Sequence, residues 1–337
     1  MQVGKEVLYL SYADVAAVGP NMAETIALVE AAFHDKGQGL TQLPAKTALH
    51  PLDEDAFLHA MPAWVPSRRA AGVKWVSGYP DNAAKGLPYI SGLLILSDPD
   101  TGLPLAVMDC AWITAQRTGA VSGLAARHLA PAGASTAALL GAGVQGRTQV
   151  RALATVLSLQ ELRVFDVRTA AADALIAELQ PEFPALRMRR VKAPDEAVRE
   201  ADVVVSAGPI LKHPDPSIRG AWLKPGCLGL PIDFDSMWDG DALRADVYLV
   251  DDLPQYRFYE QQGFFSAAPE PRGDLGDLLA GRCAGRESAE QRIVSMNLGV
   301  AIADMPTARA VRARADAGAR ARPAALGLGA TPPARRR

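Results

Sequence analysis

The stretch Ala137–Ala–Leu–Leu–Gly–Ala–Gly–Val–Gln–Gly–Arg–Thr148 decides the fold. A short apolar strand, Ala137 to Leu140, runs into Gly141-x-Gly143-x-x-Gly146, and a helical pattern follows from Thr148 to Leu159. A second strand, Leu162–Arg–Val–Phe–Asp166, ends in an acid 25 residues after Gly141. Each glycine has its own physical duty: Gly141 permits a tight turn, Gly143 lets backbone approach a pyrophosphate, and Gly146 lets helix and strand pack closely. The helix N-terminus offers free N–H groups and a positive dipole end to phosphates. Asp166 is placed to accept hydrogen bonds from ribose hydroxyls. The alternative is a Gly-rich turn in an ordinary βαβ unit, but strand, helix and acid together at these distances favour a dinucleotide.

Outward from this stretch, strands and helices alternate to about residue 303. The strand candidates are Ala137–Leu140, Arg163–Phe165, Val203–Ser206, Cys227–Leu230 and Val247–Val250. This pattern predicts a doubly wound parallel sheet with a crevice at the strand C-termini. On the other side, a short strand and a helix (Met22 to Phe33) precede a different region. Thr47–Leu49, Ala56–Met61, Gly72–Val76, Gly92–Ser97 and Leu105–Asp109 are short apolar segments between Pro/Gly/Asp turns, which predicts a mostly antiparallel sheet. A long helix, Trp112 to Leu129, links the halves. The fold class is therefore α/β: a Rossmann NAD(P)-binding domain over 126–303, and an α+β substrate and dimerisation domain over 1–125, completed by about 304–322. The Ala/Arg/Gly/Pro-rich 323–337 is expected to be a disordered tail.

Bulk properties narrow the function classes. Net charge is −2, with 35 basic and 37 acidic residues, so neither nucleic acid nor an anionic membrane is expected as partner. Apolar content of 49% suits a full core. Three scattered cysteines without a CxxC read as reduced thiols of an intracellular protein. The five histidines do not group at ligand spacing, so no metal is expected. No apolar run of about 18 residues and no basic-then-apolar N-terminus is present, so a cytoplasmic protein is expected.

Three cations stand out in the first half. Lys74 interrupts an apolar strand and points to the opposite face from Val73 and Trp75. That face is either water or a polar pocket. Arg117 lies early on the linking helix, where its fork suits a carboxylate clamp or a surface ion pair. Lys46, in Leu43–Pro–Ala–Lys46, is the least informative alone.

Taken together, the segments resemble the ornithine cyclodeaminase/μ-crystallin family. The matching pieces are Leu43–Pro–Ala–Lys46, His59–Ala–Met–Pro62, Gly72–Val–Lys–Trp–Val–Ser–Gly–Tyr–Pro80 with Asn82, and Gly86–Leu–Pro–Tyr–Ile–Ser–Gly92. Further along come Asp98–Pro–Asp–Thr–Gly–Leu–Pro104, Ile113–Thr–Ala–Gln–Arg–Thr118, Gly141–Ala–Gly–Val–Gln–Gly146 and Asn297–Leu–Gly–Val–Ala–Ile–Ala–Asp304. The resemblance spans roughly residues 7–310. It implies hydride transfer with a nicotinamide cofactor on a small amino, imino or keto acid, in a homodimer joined through the first domain. It implies that Lys46, Met61, Lys74 and Arg117 meet the substrate, with Lys74 also placed for proton transfer. Thr118, Gly141, Gly143, Val144, Gln145, Gly146, Asp166, Arg168, Ala207 and Leu298 would meet the cofactor. Asp166 favours NAD, and Arg168 two residues on leaves NADP open.

Two departures bear on the substrate. Cyclodeaminases and the family's alanine dehydrogenases carry a catalytic Asp in a Gly-x-Asp-x-Pro-Gly-Lys-x-Glu-Leu pattern. Here the chain reads Gly229–Leu–Pro–Ile–Asp–Phe–Asp–Ser–Met–Trp238, so the family Asp falls on Pro231. Asp233 and Asp235 are the candidate replacements, or else surface or helix-capping acids. His59 stands where cyclodeaminases carry Glu. The expectation is therefore an imino acid reductase or amino acid dehydrogenase. Alternatives are a cyclodeaminase that recycles NAD, and a non-catalytic crystallin-like binding protein.

Overall fold

The computed structural model describes residues 4–51, 55–318 and 322–325. The first layer is built from β1 (Glu6–Leu10), β2 (Thr47–Leu49), β3 (Phe57–Val65), β4 (Ala70–Gly78), β5 (Ile90–Ser97) and β6 (Pro104–Asp109). Strands β2 to β6 are joined antiparallel, and β1 lies parallel to β6. Two helices follow β1: α1 (Tyr12–Val18) and α2 (Met22–Gly37). Asn21 and Glu24 form a reciprocal capping box that starts α2. Met22, Ile26, Val29 and Phe33 recur at helical spacing along its buried face. After β6 comes α3 (Ala111–Leu129), the expected linking helix, buried over most of its length.

The second layer contains β7 (Thr136–Leu140), β8 (Glu161–Phe165), β9 (Arg187–Arg190), β10 (Val203–Ser206), β11 (Leu228–Pro231), β12 (Val247–Val250), β13 (Gly273–Asp274) and β14 (Ile293–Met296). All its pairings are parallel, in the order β13-β12-β14-β11-β10-β7-β8-β9. Crossovers are carried by α4 (Val144–Val156), α5 (Thr169–Leu179), α6 (Pro194–Val198), α7 (Gly240–Leu243), α8 (Leu253–Gln261) and α9 (Leu275–Leu279). The chain builds outward from β7 to β9 and then returns to place β10 on the other side of β7. That reversal opens a crevice beyond the C-terminal ends of β7 and β10, where open α/β sheets hold their ligands.

Helix α10 (Ala301–Ala317) carries the chain from β14 back to the first layer, where it packs on α2, α3, β3 and β4. Then β15 (Arg322–Ala325) pairs antiparallel with β1, giving the seven-strand order β15-β1-β6-β5-β4-β3-β2. The tail expected from residue 323 is thus strand through Ala325. The rest of that stretch, 326–337, lies outside the described residues.

Three further details differ from the sequence reading. Helix α4 begins at Val144 rather than Thr148 and ends at Val156 rather than Leu159. Its first turn contains Gly146 and therefore shows no helical pattern of apolar side chains. Strand β14 is central and fully buried, but its four residues are too few to register as a period. Strand β9 reads Arg–Met–Arg–Arg, a charged segment that forms only because it lies next to the β8 edge. Among the described residues no helix is long and apolar enough to cross a membrane.

The layers meet where α3 crosses α4. A Cβ on Gly119 would lie 2.6 Å from the Thr148 carbonyl oxygen, so the crossing depends on its absence. Gly119→Ala should destabilise the protein by about 1–3 kcal/mol, the usual cost of overpacking, read as a lower urea midpoint with an unchanged slope. An unchanged midpoint would show that the crossing is not tight.

Candidate functional site

The turn after β7 has the geometry that its glycines suggested. Gly141 sits at φ +104°, and a Cβ there would come within 2.5 Å of the Ala207 carbonyl at the end of β10. A Cβ on Gly146 would come within 2.3 Å of the Gly141 carbonyl, so this glycine lets α4 lie against the turn. A Cβ on Gly143 would meet nothing within 4 Å: space lies open above the backbone. Gly143 is the N-cap of α4 and supplies no side-chain cap, and Val144 is well exposed. The helix therefore presents uncapped N–H groups to open space, with Gln145 half-buried on the first turn.

Asp166 follows β8 directly. Its carboxylate accepts the Ala142 N–H at 2.7 Å and the Arg168 N–H at 2.8 Å. The acid thus fixes both the glycine turn and the start of the next loop. The Arg168 guanidinium is exposed, with Nε 3.9 Å from Asp166. Thr118, on α3, donates its hydroxyl proton to the Thr114 carbonyl at 2.7 Å, leaving its oxygen able only to accept.

The three cations are buried together. Lys74 on β4 is fully buried, whereas its neighbour Trp75 is 42% exposed, so the polar side of the strand is the inner one. Lys74 Nζ donates to both oxygens of Asp304 at 2.8 Å. Arg117 Nε donates to Asp304 Oδ1 at 3.1 Å. Its Nη1 is buried and has no partner among the described residues. Gly299 lies against this guanidinium: a Cβ there would stand 2.7 Å from Nη1. Lys46 Nζ donates to the carbonyls of Leu298 at 2.9 Å and Gly299 at 3.4 Å, and lies over the rings of Tyr259 and Phe234. Met61 is buried on β3 in register with Lys74.

Burial sets the charge states here. Desolvation pushes the Lys74 ammonium down to about 8, with Arg117 adding repulsion and Asp304 opposing the shift. Desolvation also drives Lys46 below the ordinary lysine range. His59 stacks on Phe57, and burial plus the nearby lysines push it down to about 2, so the ring is neutral at every physiological pH. The acids facing Lys46 are Asp251 and Asp304. When all five groups are ionised, three cations against two carboxylates leave one positive charge, which suits a single carboxylate ligand.

Asp233 and Asp235 are placed differently from that cluster. Asp233 is fully buried, accepting hydrogen bonds from the Ser206 hydroxyl and, at 2.9 Å, from Gly208 N–H, and burial raises it to about 6. It ties the loop after β11 to the end of β10. Asp235 accepts the Phe265 N–H at 3.2 Å and lines a surface cavity of about 420 Å³ beside Lys212 and His213. The carboxylates that the fold brings to the cations are Asp304 and Asp251, which the sequence did not single out. Asp304 was visible only as the last residue of a quoted segment. Asp251 carried one signal, its position at the C-terminal end of a predicted strand.

Comparison with known proteins gives a consistent result. A sequence profile of the ornithine cyclodeaminase/mu-crystallin family matches residues 8–319. The nodulation efficiency protein NfeD of Rhizobium meliloti is 36% identical over 308 residues, covering 90% of this chain and 94% of that protein. Among solved structures, Thermococcus litoralis Δ1-pyrroline-2-carboxylate reductase in complex with NADH and L-proline superposes with a TM-score of 0.84 at 28% identity, over 96% of this chain and 100% of the other. An archaeal alanine dehydrogenase dimer with bound NAD also has a TM-score of 0.84, at 31% identity over 95% and 99% of the two chains.

Replacing Asp304 by Asn leaves Lys74 and Arg117 without their shared counter-charge. The expected cost at pH 7 is about 3–5 kcal/mol, as for other buried pairs broken on one side. Because the folded-state pKa of Lys74 lies below its unfolded value, its charge opposes folding at low pH. That penalty is relieved as pH rises through about 8 towards the ordinary lysine range. Loss of Asp304 lowers the Lys74 midpoint further, so the deficit of Asp304→Asn should narrow as pH rises towards about 8 and stay level above it in urea unfolding. A pH-independent deficit would contradict this reading of the ion triad.

Proposed function

The chain belongs to the ornithine cyclodeaminase/mu-crystallin family, and from that premise we propose that it is an NAD-dependent imino acid reductase or amino acid dehydrogenase. It moves hydride at the Cα–N bond of a small amino or imino acid. The observation that carries this reading is the buried Arg117 guanidinium, whose Nη1 has no partner among the described residues. A planar cation held at Nε by Asp304, with a buried Nη1 that still lacks an acceptor, is suited to a substrate carboxylate.

The bound nicotinamide would supply or accept the hydride. The protein's own residues do the rest. The open backbone at Gly143 and the uncapped start of α4 receive the pyrophosphate. Arg117, with Lys46 beside it, holds the substrate carboxylate and thereby orients the α-carbon. Lys74, brought down to about 8, exchanges a proton with the substrate nitrogen near neutral pH, and Asp304 fixes its position by two hydrogen bonds. The positive field of the cluster favours negative charge on the substrate over a neutral or cationic group.

Cyclodeamination is the second reading, since the family name covers it. It requires an acid at the reacting amine. Asp233, the first acid after β11, has both oxygens committed to Ser206 and Gly208. That commitment weighs against the cyclodeaminase and favours the reductase.

A homodimer through the first layer also belongs to this proposal. The outer face of that sheet exposes Tyr9, Trp75, Leu93 and Ile95, with Trp75 beside Leu93 and Ile95 two strands from Tyr9 in register. A contiguous apolar face of this kind suits a second copy of the chain. The similar alanine dehydrogenase structure is itself a dimer.

Two outcomes test the proposal. Fluorescence titration should give NADH at least about tenfold tighter binding than NADPH, because a 2′-phosphate would meet Asp166. Tighter NADPH binding would overturn this and assign the pocket to Arg168. Arg117→Lys keeps the charge and loses the fork, and should lower kcat/KM by about 10-fold or more on any accepted substrate, about 1.4 kcal/mol. Unchanged kinetics would remove Arg117 from the site.

A further inference from the structure

Strand β12 ends in two consecutive acids with different duties. Asp252 faces one way: it caps α8 by accepting the Gln255 N–H at 2.8 Å and takes the Lys36 ammonium of α2 at 3.1 Å. Asp251 faces the other way and is fully buried. Its Oδ2 accepts the N–H of Gly299 at 2.7 Å, and its Oδ1 has no partner among the described residues. Gly299 lies between β14 and α10 with φ +82°, a conformation in which backbone alone does not hold most residues. The carbonyls on either side of that N–H, Leu298 and Gly299, are the two acceptors of the Lys46 ammonium. Gln255, positioned by Asp252, accepts the Lys46 backbone N–H at 2.9 Å.

Lys46 comes from the coil between α2 and β2 in the first layer, but its hydrogen-bond partners come from the second half of the chain. The aromatic rings of Phe234 and Tyr259 cover its Nζ, at 5.6 and 4.9 Å from their centroids. The charged and titratable groups around it are Asp251 after β12, Asp304 on α10, Arg117 on α3, Lys74 on β4, the neutral His59 on β3 and the Tyr259 hydroxyl on α8. Asp304 is already engaged by two other cations. Neutral carbonyls accept the Lys46 protons but do not offset its charge. Asp251 is the carboxylate left for that purpose.

We propose that Asp251 is a positioning residue for Lys46: it anchors the Leu298–Gly299 backbone that receives the ammonium, and its charge keeps that ammonium protonated beside Arg117 and Lys74. The substrate carboxylate then meets a charged, immobile Lys46. This deepens the proposed function and rests on its placement of Lys46 at the substrate carboxylate. Burial raises Asp251 and lowers Lys46, and each opposes the shift of the other.

The test is a titration of the full-length protein labelled with 13C-lysine, following the Cε resonance that disappears in Lys46→Met. Asp251→Asn keeps an acceptor for Gly299 N–H and removes the charge. It should lower the Lys46 midpoint by about one pH unit or more, a tenfold change in the charged fraction at a fixed pH above the midpoints. Asp251→Glu should lie closer to the wild type. If the Asn variant does not fold, Asp251→Ser removes the same charge and carries the same expectation. A Lys46 midpoint unchanged by loss of the charge overturns the proposal. Pyruvate binding to the NADH complex, read by fluorescence, should weaken at lower pH in Asp251→Asn than in wild type. Failure of the wild-type complex to bind pyruvate or any other 2-oxo acid would overturn the proposed function alone, since the lysine titration needs no ligand.

Discussion

One carboxylate, Asp304, receives Lys74 from a strand and Arg117 from a helix, and the arrangement of the two layers follows from that contact. The three groups are buried, and each arrives from a distant part of the chain. None could be buried alone, because an unpaired ion in apolar surroundings is expensive. The return of α10 from the second sheet to the first brings Asp304 to the two cations. Lys74 faces inward on β4 because that carboxylate is there to meet it, leaving Trp75 to face outward. Such a pair is weak evidence for stability against apolar alternatives, but it commits the geometry: the cations cannot move away from Asp304 without losing their compensation.

The same contact explains why the site lies at the seam. The crevice at the ends of β7 and β10 belongs to the second sheet, and the cations belong mainly to the first. They face one another because Gly299, between β14 and α10, touches the Arg117 guanidinium, while its carbonyl and that of Leu298 hold Lys46. Glycine residues recur at these approaches for one reason: a Cβ at positions 119, 141, 146 or 299 would strike backbone or guanidinium atoms. Close packing at the seam leaves Arg117 Nη1 and Asp251 Oδ1 among its unpartnered polar atoms, and the backbone at Gly143 open.

The parts of this arrangement that were legible in the sequence were those encoded locally. Gly141, Gly143 and Gly146 with Asp166 form a pattern within 26 residues, and their roles in the turn follow from backbone sterics. The period-two alternation around Lys74 correctly placed it opposite Trp75, but could not say which face was wet; the fold makes it the inner one. Asp304, although it ends a matching segment, and Asp251 were not legible as counter-charges, because the cations they meet lie far away in the chain. Asp233 and Asp235 drew attention by adjacency to a strand end, but adjacency does not reveal that Ser206, Gly208 and Phe265 take their oxygens. Short parallel strands such as β14, buried on both faces, carry no period to read.

The proposed activity is hydride transfer at a carbon–nitrogen bond with net change of the cofactor. The most direct measurement is the stoichiometry of ammonia against NADH in the purified protein, across a panel of amino acids with NAD and of 2-oxo acids with ammonia and NADH. One NADH formed or consumed per substrate turned over, matched by one ammonia wherever the amine is primary, is the predicted result. Ammonia released from a diamino acid with no net change in NADH would contradict it and establish the cyclodeaminase chemistry instead.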